Sequence, residues 1–284
     1  MTLKRTLLGA AAGLAVAFAV QGTTPAAAES TLRAVMHLVY DTLFALDEQL
    51  NVQPQMVESY EISDDNLTYT FTLRDGLQWH DGQPVTPEDA IASIERWGEK
   101  DSMGQLLMAS VEGMKASDER TFEMVLKEPY GLVLLSLAKP SSNVPFIMPK
   151  RIAETPSSEQ ISEYVGSGPF VFARDEWEPG NKAVFTRFEG YKPRSEPPSW
   201  AAGGKEAKVD RVEWLWIPDI QTAVNALING EIDYIETPPH DLLPILEADD
   251  GIVLFDYNPL GNQYMFRMNW LHPPFDDQKV RQAA

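Results

Sequence analysis

The sequence predicts an α/β protein with mixed sheets and an α+β insertion, and three observations lead there. Short strands with alternating apolar and polar positions recur along the chain, at Thr68–Leu73, Thr121–Leu126, residues 183–188 and residues 209–217. Helix starts with capping residues follow some of them, Thr86-Pro87-Glu88-Asp89 in one case and Pro218-Asp219 in another. The middle of the chain is joined by tight turns, whereas the later part reads strand, helix, strand.

Taken in order, residues 1–28 read as a cleavable signal peptide. Lys4 and Arg5 form the basic start, residues 7–20 the apolar stretch and Ala26-Ala27-Ala28 the small-residue cleavage site. That apolar run is shorter than the roughly 20 residues a membrane-spanning helix needs. Residues 31–36 read as a strand and residues 38–46 as a helix, with no Gly, Pro or Asn between them, an unusual junction. Next, Tyr69, Phe71 and Leu73 alternate with Thr68, Thr70, Thr72 and Arg74 as a half-buried strand, and Asp75-Gly76 supplies the positive φ of a tight turn. Leu77 and Trp79 restart the alternation, Asp81-Gly82 turns again, and Thr86 caps a helix with Pro87 at its first position and acids in its first turn. Residues 132–138 form a buried helix, and residues 145–149 with the polar run 154–163 a loop and short helix. Gly166 and Gly168 grant backbone freedom before Pro169 leads into a strand. The Pro- and Gly-rich residues 193–205 read as a mobile or extended loop. After residues 209–217, Ala223, Ala226 and Leu227 share one helix face, Gly230 ends that helix and residues 231–235 begin a strand.

Composition excludes several functions. The chain has 284 residues, no cysteine, and 42 acidic against 23 basic side chains, a formal charge of -19 that becomes -21 once Lys4 and Arg5 leave with the leader. Thiolate metal sites, cysteine nucleophiles, disulfides and a cysteine-borne lipid anchor are therefore ruled out. The acidic excess argues against nucleic acid and anionic lipid as partners. The histidines, His37, His80, His240 and His272, show no metal-ligand spacing, so no metal or cofactor is expected, and single histidines beside turns read as solvated. Gly166-Ser167-Gly168 is not a nucleophile elbow, because the elbow needs Gly two residues before its Ser and Val165 stands there. Trp177, Trp200, Trp214 and Trp216 among many acids leave a second reading open, a secreted glycosidase-like hydrolase with an acidic, Trp-lined cleft, although no carboxylate pair is singled out.

Residues 63–66 (SDDN) and 68–90 (TYTFTLRDGLQWHDGQPVTPEDA) closely resemble the signature of extracellular solute-binding protein family 5, the receptors of peptide and nickel ABC importers. Residues 39–47 (VYDTLFALD), 53–60 (QPQMVESY), 165–172 (VGSGPFVF) and 222–235 (TAVNALINGEIDYI) are similar to further family segments. The resemblance implies a type II periplasmic binding protein with three domains. Residues 29–45 and 164–265 would form a discontinuous α/β first lobe, residues 46–163 an inserted α+β subdomain, and residues 266–284 the start of a second ligand-binding lobe largely missing from the chain. Relative to the family pattern, about twenty residues of a cleft-lining loop are absent at the His37/Leu38 junction, which suggests an internal deletion. The implied function is a periplasmic, monomeric receptor that captures a small solute, a peptide first of all, and delivers it to an ABC permease in the inner membrane without catalysis. The ligand-binding residues implied by matched segments are Glu236, Thr237, Tyr264 and Phe266, with His37 beside the altered junction and Ser141 in a polar turn.

Overall fold

The computed structural model describes residues 15–20, 36–256, 261 and 266–283. The chain divides into a unit of Met1–His240 and a unit of Asp241–Ala284. Within the stretch read as a leader, Ala15–Val20 forms strand β1, while residues 1–14 and 21–28 lie outside the described residues, as do residues 31–35 of the expected first strand. Residues 36–39 make a single helical turn, closed by the Tyr40 amide donating to the Met36 carbonyl at 2.8 Å.

The expected helix over residues 38–46 is not there. The chain instead forms two short strands, β2 (Asp41–Thr42) and β3 (Phe44–Leu46). Every residue from 39 to 46 is buried, so packing closes in on all sides and no solvated helix face exists; a continuous apolar run of this kind does not reveal its period. β3 pairs antiparallel with β4 (Val52–Pro54).

The next strands build a separate antiparallel sheet. β5 (Val57–Ile62) and β6 (Thr68–Leu73) pair antiparallel, and the burial of β6 alternates as its sequence requires. Gly76 and Gly82 take φ of 71° and 83°, which a side chain would strain. α1 (Pro87–Lys100) then starts on a capping box. The Thr86 hydroxyl accepts from the Asp89 amide, and the Asp89 carboxylate accepts from the Thr86 amide at 2.8 Å. Ala90, Ser93, Ile94 and Trp97 form the buried stripe of α1, spaced for one helix face. Asp101 caps α2 (Ser102–Ser110), which leads into β7 (Val111–Ala116) and β8 (Thr121–Leu126). The sheet order is β5-β6-β8-β7, all antiparallel. Phe71 packs on Phe122 at 5.1 Å between ring centres, in a core that also holds Phe44, Trp79, Ile94 and Met124. α3 (Val133–Leu137), β9 (Phe146–Ile147), which pairs with β2, and α4 (Lys150–Ala153) complete this part. The short helix thus precedes residues 154–163 rather than lying within them.

The chain returns through residues 166–168. Neither glycine there has positive φ, so their role is close approach: a Cβ on Gly166 would stand 1.9 Å from the Val39 carbonyl oxygen, and one on Gly168 2.6 Å from that of Leu38. The Gly168 amide donates to the Val39 carbonyl at 2.8 Å. His80 locks this crossing. Its ring Nδ1 accepts from the Gly166 amide, so Nε2 carries the proton and donates to the Gly168 carbonyl at 3.0 Å. Burial lowers its pKa, and the imidazole is neutral and structural rather than solvated.

β10 (Phe170–Phe172) and β12 (Arg211–Trp216) each pair antiparallel with β11 (Lys182–Arg187), which lies between them. α5 (Ile220–Ile228), capped by Asp219 and ended at Gly230 with φ 72°, leads to β13 (Tyr234–Ile235). The mixed sheet has the order β10-β11-β12-β1-β13, in which β1 is parallel to both β12 and β13. A second core of Val39, Tyr40, Phe170, Phe185, Val212 and Trp214 packs against it. Residues 193–205, expected to be mobile or extended, form a loop held by distant partners. The Arg194 guanidinium donates to the Gln55 and Val57 carbonyls, the Gln55 amide to the Gly203 carbonyl, and the Ala201 amide to the Leu46 carbonyl. In the second unit, α6 (Leu243–Glu247) buries Leu246, and α7 (Gln278–Ala283) begins after Asp277, whose carboxylate accepts from the Lys279 amide at 2.7 Å.

Candidate functional site

Parallel strands with helices on their connections leave a crevice beyond their carboxyl ends, the usual place for a ligand in open α/β sheets. Here that edge is formed by β12 and β13 on either side of β1. Val20 pairs with Trp216 and Ala19 with Ile235, so Glu236 falls level with Trp216 two strands away, roughly 10 Å at the usual strand spacing. Trp216 continues the buried row of Val212 and Trp214 to the surface and is 37% exposed. Glu236 is half-buried and Thr237 exposed. An aromatic face beside a carboxylate and a hydroxyl suits a small polar solute with an apolar part.

The other expected residues lie elsewhere. His37 sits on the helical turn of residues 36–39, its ring edge-on to Phe146 at 4.9 Å. Tyr40 packs on the same Phe146 at 5.8 Å. Ser141 is half-buried in a turn in which Ser142 and Asn143 take left-handed φ of 48° and 52°. That turn is pinned: Lys139 bonds both the Asp101 carboxylate and the Ser142 carbonyl, and the Trp97 indole donates to the Asn143 carbonyl. Phe266 is 78% exposed in the second unit, and Tyr264 lies outside the described residues. The sheet edge therefore brings Glu236 and Thr237 together, and Trp216 joins them. Trp216 was singled out in the sequence only as one tryptophan among several; its place at the carboxyl end of an alternating strand is the signal that marks it.

Sequence reasoning also missed a buried polar centre. Asp41 is 1% exposed and accepts from Lys205 Nζ at 2.8 Å, the Tyr191 hydroxyl at 3.2 Å and the Thr42 amide at 3.0 Å. Burial raises its pKa, but the Lys205 ammonium, the Thr42 amide and nearby His37 outweigh that and hold it below the usual carboxylate range. Burial, together with the Asp41 charge, pushes the Tyr191 phenol well up, so it stays a neutral donor. Arg74 reaches this centre from the end of β6, donating from Nε to the Gln55 carbonyl and from Nη1 to the Lys192 carbonyl. Asp41's carboxylate is thus engaged by structural donors, and the centre positions chain segments rather than performing chemistry. A separate open groove of about 740 Å³, lined by Arg74, Leu77, Val85, Glu88, Asp118 and Arg120 among others, contains none of the expected site residues. Among the described residues no group of three His, Asp or Glu could hold a metal, and no helix is long and apolar enough to cross a membrane.

Residues 51–284 match the family model of bacterial extracellular solute-binding proteins, family 5 Middle. A probable peptide ABC transporter periplasmic-binding protein of Sinorhizobium fredii, y4tO, is 43% identical, over 97% of this chain and 56% of its own length. The glutathione-binding protein GsiB of Escherichia coli K12 is 29% identical over 91% of this chain and 48% of its own. The solved structure of MoaA from A. tumefaciens R10, in complex with mannopinic acid, shares the fold with a TM-score of 0.71 at 21% identity, covering 96% of this chain and 55% of that one. The chain spans about half the length of the curated relatives it matches. The y4tO alignment runs over 298 positions, while 97% of 284 residues is about 275, so about 23 aligned positions have no residue of this chain opposite them.

Proposed function

Because the chain belongs to the bacterial extracellular solute-binding proteins of family 5, we propose that it supplies one wall of a solute trap serving an ABC importer, with the match over residues 51–284 as the observation that carries the reading. The whole protein captures a small solute, peptides being the first class to test, and passes it to an inner-membrane permease without chemical change. Trp216, Glu236 and Thr237 are the side chains we assign to the solute on this wall. His37, Ser141, Tyr264 and Phe266 are assigned as further contacts, and the wall acts as a monomer. Residues 1–28 direct export to the periplasm and are then removed, which takes β1 from its place between β12 and β13, so the shared level of Trp216 and Glu236 requires another strand there, the one read over residues 31–36. We further place the unmatched alignment positions at the His37/Leu38 junction, as an internal deletion; the gene read across that junction in close relatives tests it.

Binding without catalysis is the reading that the family supports, and the sheet edge, where a carboxylate and a hydroxyl lie beside an aromatic face, suits it. A micromolar solute needs about 8 kcal/mol of binding free energy, which requires contacts on more than one side. The test is mass spectrometry of the protein isolated natively from the periplasm, with its amino terminus sequenced and any retained small molecule released and identified. The expected result is a start at Glu29 and an unmodified peptide-like solute. Turnover of that solute by the purified protein, or retention of none together with no shift in melting temperature across peptide, glutathione and opine panels, overturns the reading.

A further inference from the structure

We propose that Leu50 and Trp200 form a single docking knob for a protein partner that offers an apolar pocket with a basic rim. The proposed function supplies that partner, the importer's permease; its identity rests on that reading, whereas the knob itself does not.

Leu50 lies in the turn between β3 and β4, and Trp200 at the tip of the ordered loop 193–205. The two turns are bonded to each other: the Ala201 amide donates to the Leu46 carbonyl at 3.2 Å, and the Glu48 amide to the Ser199 hydroxyl at 3.1 Å. Both residues have left-handed backbone, φ 64° for Leu50 and 49° for Trp200, a region that bulky side chains rarely occupy. Their surroundings impose it. The Asp47 carboxylate takes the Gln49 and Asn51 amides at 2.9 Å each, the Leu50 amide donates to the Asp47 carbonyl, and Ser199 and Ala202 bond each other across Trp200.

Strain of this kind is normally offset by burial or use. Here burial offsets it only in part, since each residue remains 52% exposed. Large apolar residues fixed outward on a rigid turn are preorganised for a partner, and tryptophan is enriched among residues that dominate interfaces. Charge selects the partner. Glu48 stands exposed beside the knob and outside every ion pair among the described residues, and the chain carries a formal charge of -19. An anionic bilayer or a second copy of the chain is repelled by that field, whereas a protein pocket rimmed by Lys or Arg is attracted.

Glycine separates docking from structure, because it relieves the strain while removing the side chain. In Leu50→Gly and Trp200→Gly, the melting temperature and solute affinity of the purified protein should hold or rise, while uptake in cells falls at least tenfold. A photo-crosslinker at position 200 should join the protein to a permease subunit identified by mass spectrometry, and Glu48→Lys should weaken that crosslink. The proposal is overturned if the glycine variants melt earlier or lose solute affinity, if crosslinks form only to lipid or to a second copy, or if radical footprinting finds Trp200 already protected in the free protein. Should the parent protein bind no solute yet crosslink through position 200 to a different protein with a basic-rimmed apolar pocket, the functional reading fails and the knob stands.

Discussion

Removing Lys205 should expose how much the buried centre at Asp41 holds the chain together. The Asp41 carboxylate is 1% exposed, and Lys205, its side chain 18% exposed, forms an ion pair with it at 2.8 Å. Stripping one partner from a buried pair costs about 3–5 kcal/mol, because the remaining charge stays out of water unpaired. Tyr191 and the Thr42 amide still donate to Asp41 in Lys205→Met. The lower end is therefore expected, about 3 kcal/mol, which at this size lowers the melting temperature by roughly 6–12 °C. The double variant Asp41→Leu with Lys205→Met should recover to within about 1 kcal/mol of the parent, since well-packed apolar replacements of a buried pair are near neutral. The dependence on pH has a definite sign. Asp41's folded pKa is depressed, so its contribution is present above the unfolded value near 3.9 and is lost as pH falls through the folded one. In Lys205→Met, burial dominates and raises that pKa, so the variant is penalised most at neutral pH and the difference shrinks on acidification. Urea denaturation followed by circular dichroism and tryptophan fluorescence, at pH 7 and pH 4, measures both effects. A single variant that melts within about 1 °C of the parent at pH 7, or a double variant no better than the single, refutes the argument.

Four further outcomes follow from the crossing and the caps. Thr86→Ala should cost about 1 kcal/mol as a lost N-cap. Asp89→Ala should cost at least about 3 kcal/mol, since it strands the donors of Thr86, Trp79 and Lys150 together; urea midpoints compare the two. Gly166→Ala should lose at least about 3 kcal/mol, because its Cβ meets backbone that cannot swing aside, and soluble yield with melting temperature reads this. His80 has a depressed folded pKa, so the stability it confers should fall as pH drops below about 6.5, and His80→Gln should flatten that part of the pH profile in thermal melts.

What the sequence disclosed and what it hid divide along a physical line. The strand Thr68–Leu73, the turns at Gly76 and Gly82, the cap at Thr86 and the helix opening at Asp219 were legible because each depends on neighbours a few positions away. The run at residues 38–46 misled because burial on every side erases the period that separates helix from strand. Loop 193–205 looked mobile or extended by composition, yet Gln55 and Leu46, far off in sequence, hold it in place. Gly166 and Gly168 were read as sources of backbone freedom when their function is the absence of a Cβ. Asp41, alone among apolar neighbours in VYDTLF, was the one local hint of a buried charge, and its partners Tyr191 and Lys205 could not be inferred without the fold. At the sheet edge, Glu236 and Thr237 could be placed because they follow a strand, whereas the level shared with Trp216 needed the register.

The hydrogen bond from the Gly168 amide to the Val39 carbonyl means that residues 40–167 leave and rejoin the rest of the chain through adjoining peptide units. A stretch whose two splice points touch is a cassette in the genetic sense. Its outer loops can be lengthened or trimmed without pulling the flanking segments apart, whereas exchanging it whole would break the Asp41–Lys205 pair and the Arg194 bonds that stitch it to the later chain.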